Sequence, residues 1–91
     1  MGKYARMRLR YLKGHQPALY TSLLFPGKLN EHLSEIETSA QAMMEAIVSR
    51  LKQERDITEE LKAENQMLWV AEMESIRAST EEIVLAKIIY E

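Results

Sequence analysis

Every proline and every glycine in this chain lies within the first 27 residues, and residues 28–91 contain neither. These are the two residue types that most disfavour a helix interior, so the larger part of the chain is free to form long, uninterrupted helices. The punctuated front divides into short pieces. Gly14 can close a helix near residues 3–13, Pro17 can open a second running to about Phe25, and Pro26-Gly27 can turn the chain.

Beyond that turn, Leu29, Leu33, Ile36, Ala40, Met43, Ile47 and Leu51 recur at spacings of three and four. This predicts one amphipathic helix ending near Arg55, with Asn30 as a candidate cap. Asp56-Ile57-Thr58-Glu59 resembles a capping box with an acid in the first position. A last helix is expected from about Thr58 to Tyr90, with Leu61, Leu68, Trp69, Ile76 and Ile83 on one face. Asn65 and Glu72 project onto that same face. The predicted fold is all-α, a single helical domain over 1–91: two short N-terminal helices packed on a long antiparallel helical hairpin.

Residues 4–11 admit two readings. Ala5-Arg6-Met7-Arg8-Leu9-Arg10-Tyr11 alternates with the period of a half-buried strand. Wound as a helix, Tyr4, Ala5, Met7, Leu9, Tyr11 and Leu12 share one arc, and only Arg8 falls among them out of place. An isolated edge strand would have no evident partner, which favours the helix. Arg8, so placed, needs a glutamate from the long helices or a tyrosine face to offset its burial.

The chain lacks cysteine, which excludes disulfides and cysteine zinc sites. Its longest apolar run, Met67 to Ala71, is far short of the ~20 residues that span a bilayer. Ala18 to Phe25 is interrupted by Thr21 and Ser22 and lacks a small-residue cleavage site, unlike a signal peptide. A cytoplasmic location is expected. Glu31, His32 and Glu35 share a stretch of helix, but no second Glu-x-x-His unit completes a di-metal site. His15, close to Pro17, reads as a turn residue. Tyr4-Ala5-Arg6 echoes the start of serine recombinases, yet Arg8 occupies the nucleophile position. Gly2, Gly14 and Gly27 are isolated and form no phosphate loop. No catalytic residue, metal or cofactor is expected, and the chain is not expected to be an enzyme.

Charge is the most informative remaining signal. Residues 1–28 hold six cations (Lys3, Arg6, Arg8, Arg10, Lys13, Lys28) and no acid, whereas residues 29–91 hold six cations and all fourteen acids. A charge asymmetry of this kind marks a nucleic-acid or membrane contact, or a basic end docking on acidic helices of its own chain or a partner's. On a helix, Lys3, Arg6, Arg10 and Lys13 lie within roughly 80° of each other, a stripe suited to phosphates. They are the candidate nucleic-acid-binding residues, with Tyr4, Tyr11 and Tyr20 near them. At the other end Ile83-Val84-Leu85-Ala86-Lys87-Ile88-Ile89 is apolar nearly all round, so it is buried within the fold or against another chain. Ile83, Val84, Leu85, Ile88 and Ile89 are candidate interface residues of a homo-oligomer, most simply a two-fold dimer. Trp69 reads as a core anchor.

Blocks along the whole chain carry a resemblance. Gly2-Lys3-Tyr4, Arg6-Met7-Arg8, Tyr11-Leu12-Lys13, Pro17-Ala18-Leu19-Tyr20 and Gly27-Lys28-Leu29 come first. Thr58-Glu59-Glu60-Leu61-Lys62, Trp69-Val70, Ser75-Ile76-Arg77, Glu81-Glu82-Ile83-Val84 and Ile89-Tyr90 come after them in order. Together they resemble the transposon-encoded TnpV family. The resemblance implies a small protein of a mobile element with an accessory role in recombination, akin to small excisionases. Family members commonly carry an extension ahead of the Gly-Lys-Tyr block, where this chain nearly begins, and Glu74 stands where the family leads one to expect asparagine. Two functions are expected on these grounds. In one, the basic helix binds DNA or a recombination nucleoprotein complex. In the other, the acidic helices bind a basic protein, such as a recombinase or a host defence nuclease.

Overall fold

A computed structural model describes residues 1–91 and contains helices and turns but no strand. Helix α1 spans Lys3–His15, α2 Pro17–Ser22, α3 Lys28–Glu54, α4 Glu59–Glu64 and α5 Gln66–Val84. The chain then continues from α5 into a π-helical turn, Leu85–Ile89. The alternating stretch 4–11 is therefore helix, and its alternation reflects an arginine, Arg8, that is buried among the apolar residues.

α3 and the α4–α5 arm form the antiparallel hairpin that the spacing predicts. Gly27 supplies the left-handed residue at the start of α3, with φ 79°. Asn30 lies in the first turn instead of capping it, because Gly27 occupies the cap position without a side-chain bond. At the hairpin's tip Asp56 adopts a left-handed φ of 57°, as aspartate tolerates better than most residues. Thr58, not Asp56, is the N-cap of α4, accepting the Leu61 N–H on its side chain at 3.1 Å.

The second arm is not continuous. The backbone leaves helical geometry at Asn65, whose side-chain oxygen accepts the Leu68 N–H at 3.1 Å and starts α5 afresh. Asn65 is thus a cap, not a polar residue in a seam. The break also shifts the helical phase. Leu68, expected on the inner face, is 44% exposed, while Met73, Ile76, Thr80 and Val84 are buried. Thr80 satisfies its buried hydroxyl by donating to the Ile76 carbonyl at 2.7 Å.

The core extends along the molecule's 54 Å length as separate clusters. Near the hairpin tip, Ile57, Met73 and Ile76 pack with Val48, Leu51, Leu61 and Trp69. Trp69 is an anchor there, as expected, and the Lys62 ammonium covers its ring at 4.6 Å. At the open end α1 lies along the groove between α3 and the chain's last turn. Tyr4, Ala40, Val84 and Ile89 form one cluster, and Ala5, Leu12 and Leu33 another, with Leu9, Tyr20, Leu23 and Leu29 around it. The apolar terminus is accordingly covered largely by its own chain. Val84 and Ile89 are fully buried against Tyr4 and Ala40, and Ile83, Leu85 and Ile88 are half-buried. Val84 and Ile89 thus belong to the chain's own core, and Leu85 and Ile88 pack against it.

The break at Asn65 makes a stability prediction. Asn65→Ala removes the cap and should destabilise the protein by about 1 kcal/mol, whereas Asn65→Asp should retain most of it. Chemical denaturation checks this. Equal stability in both variants and the wild type would mean that α4 and α5 gain nothing from the cap.

Candidate nucleic-acid interface

The placement of α1 decides which of its side chains are free. Its first turn exposes N–H groups that no helical carbonyl can satisfy. Glu37 of α3 supplies an acceptor, taking the Ala5 N–H at 2.8 Å, and its negative charge suits the positive end of the helix dipole. A Cβ on Gly2 would meet the Glu37 carboxylate, which would have to shift to admit it. Glu81 of α5 grips the same end twice. It pairs with Lys3 and accepts the Tyr4 hydroxyl at 3.2 Å. The hydrogen bond to Glu81 holds the Lys3 ammonium above its usual pKa, and burial does the same for the Tyr4 phenol.

Arg8 is the deepest contact. It is 6% exposed, and its Nη1 donates to the main-chain oxygens of Ile89, at 2.8 Å, and Glu91, at 3.0 Å. Its Nε donates to His32 Nε2 at 3.2 Å, and its guanidinium lies 5.7 Å from the centre of the Tyr11 ring. The tyrosine face that the sequence called for is present. The glutamate is not: main-chain oxygens take its place, that of Ile89 at the end of the last turn, where carbonyls lack helical donors, and that of Glu91 beyond it. Accepting this bond requires a neutral His32 with its proton on Nδ1. Burial first, and the Arg8 charge second, lower the His32 pKa below its ordinary value, against a smaller opposing effect from Glu35.

What remains outside is the cationic stripe, in part. Arg6, Arg10 and Lys13 are exposed and have no acid within ion-pair distance, while Lys3 is engaged by Glu81. Of the four candidate residues, three are therefore unengaged by carboxylates. They sit on the side of α1 opposite Tyr4, Ala5, Arg8 and Leu12, spanning about 10 Å of helix. Lys13 stands 5.8 Å from the Tyr20 ring centre.

Beside the stripe, Tyr11 stacks on His15, with ring centres 5.3 Å apart, and meets Tyr90 at the same separation, tilted by 52°. His15 is the last residue of α1, not a residue of the turn. Tyr90 was invisible as a neighbour of this surface in sequence, being 79 positions from Tyr11, and no local pattern signals the contact. Glu37 and Glu81 were missed for the same reason. No group of three or more His, Asp or Glu side chains is gathered in a way that could hold a metal ion. No helix is long and apolar enough to cross a membrane.

The geometry defines a small helical protein with one outward cationic face. The chain belongs to the family described as transposon-encoded protein TnpV, whose model matches residues 1–89. Membership makes it a transposon-associated protein. No curated protein and no solved structure matches it.

The lowered His32 pKa sets a sign for stability against pH. Above about pH 6.5, the ordinary histidine value, the ring is neutral in both folded and unfolded chains and contributes no pH dependence. As pH falls through that value the unfolded chain takes up a proton that the folded one resists, so stability is lost. The melting temperature should therefore drop from about pH 7 towards about pH 5.5. His32→Gln, which keeps an acceptor for Arg8, should flatten that drop. An identical drop in the variant would rule out His32 as its source.

Proposed function

We propose that this protein is a non-enzymatic accessory of its mobile element that binds DNA, alone or in a recombination complex, through the outer face of α1. The observation that carries this reading is the free cationic face of α1. Tyr4, Ala5 and Arg8 dock the helix and Glu81 engages Lys3, which leaves Arg6, Arg10 and Lys13 exposed with no acid in ion-pair distance. The two acids that bind α1, Glu37 and Glu81, are engaged at its first turn.

The stripe favours phosphates over bases. Arg6, Arg10 and Lys13, spread over about 10 Å of helix, suit a row of phosphates, and no asparagine or glutamine stands among them to read adenine edges. Binding is expected to be weakly sequence-selective. The histidines fit a binding role better than catalysis, with His32 held by Arg8 and His15 stacked on Tyr11.

Three phosphate contacts predict a log–log salt slope near −2.7, at ~0.9 per contact. Fluorescence anisotropy with a labelled duplex, started at about 50 mM salt, should give that slope. Arg6→Glu combined with Arg10→Glu should abolish binding while circular dichroism is unchanged. If the wild type binds no duplex at that salt, or the double variant binds equally well, the DNA reading is wrong. The acidic helices would then be the surface to test, against a basic protein partner.

A further inference from the structure

Between α1 and the end of the chain lies a cavity of about 490 Å³, lined by Met7, Arg10, Tyr11, Gly14, His15 and Tyr90. Its size falls within the ~300–1,000 Å³ of small-molecule sites. Three of its walls are aromatic rings, and one of its rims is a cation of the free stripe. We propose that this cavity binds an unpaired nucleobase of single-stranded DNA, stacked on the open faces of His15 and Tyr90, with Arg10 holding the adjacent phosphate. The proposal rests on the DNA reading above and deepens it by naming the strand form.

The walls are fixed in advance. Tyr11 is held on one side by the Arg8 guanidinium and on another by His15. Tyr90 is held through its backbone. Its N–H donates to the Leu85 carbonyl at 2.8 Å, the five-residue step of the π-turn, and Arg8 bonds to the main-chain oxygens on either side of it, at Ile89 and Glu91. Such wide turns insert one extra residue and so change the direction in which the next side chains point. Here the turn buries Ile89 and leaves Tyr90 46% exposed beside Tyr11. Gly14 keeps one side open, since a Cβ there would meet nothing within 4 Å.

The chemistry selects a strand with unpaired bases. A basic track with aromatic platforms beside it is the arrangement that binds single strands, because every base offers a face to stack and every linkage a phosphate. A duplex keeps its bases stacked on each other and could use only the track. Arg10 stands where the two meet, on the stripe and at the cavity's rim.

The test compares three labelled probes of one length by fluorescence anisotropy: a single-stranded oligonucleotide, its duplex, and an abasic strand with the same phosphates. The single strand should bind about tenfold tighter than the abasic strand, as expected for stacking of one base. Tyr90→Ala should remove that difference and leave duplex affinity unchanged, while Tyr90→Phe keeps the stacking face and retains it. His15→Ala, on α1, provides a second variant should Tyr90→Ala lose its fold by circular dichroism. Equal affinity for the single and abasic strands, or a preference that survives both Tyr90→Ala and His15→Ala, overturns the proposal, and the duplex reading stands. Failure of all three probes to bind overturns both.

Discussion

The open end of this molecule depends on one buried charge. A guanidinium taken out of water is costly unless its donors are paired, and a single missing partner leaves most of that cost in place. Arg8 meets the requirement with the main-chain oxygens of Ile89 and Glu91, the His32 ring nitrogen and the Tyr11 face. The Ile89 oxygen lies at the end of a helix, where partial negative charge accumulates and carbonyls lack donors. One side chain near the start of the sequence thus caps its end. The capped turn in turn places Ile89 against Tyr4 and Ala40 and Tyr90 against Tyr11.

That arrangement fixes the rotation of α1. With Arg8 pointing inward, Tyr4, Ala5 and Leu12 accompany it into the groove, and Arg6, Arg10 and Lys13 must face outward. Glu37 and Glu81 reinforce the same orientation from α3 and α5, binding the first turn of α1 and, of its outer cations, Lys3 alone. The basic front of the chain therefore divides its work. Arg8, and Lys3 at the surface, dock on the chain itself, and the remaining cations of α1 carry no acid partner. The proposed contact with nucleic acid falls to those remaining residues of the same helix.

Much of the architecture was legible because it rests on local chemistry. The three-and-four spacing from Leu29 to Leu51, without a glycine or proline, leads to α3 within a residue at each end. The helical form of residues 4–11 came from sorting side chains onto faces, and the one residue that would not sort, Arg8, proved to be the buried clamp. Asn65 was misread because it sits in phase with Leu61 and Leu68, which fits a continuous helix, and the cap it forms has no glycine or proline to announce it. The π-turn was also invisible, since a five-residue step has no composition of its own. The basic stripe was read from α1 alone; three of its cations are exposed and unpaired, and Glu81 engages the fourth, Lys3. The aromatic wall was out of reach, because Tyr90 joins Tyr11 only through tertiary packing.

If Arg8 holds the final turn, the amides of that turn should exchange with solvent on its account. Hydrogen exchange of Ile88, Ile89 and Tyr90, compared between the wild type and Arg8→Met, tests this most directly. Loss of a charged donor to buried carbonyls should speed exchange there at least roughly tenfold. The amides of Met73 and Ile76, in the separate core near the hairpin tip, should keep their protection. Unchanged protection at Ile88, Ile89 and Tyr90 in the variant would contradict the account, and the final turn would then be held by its apolar contacts alone.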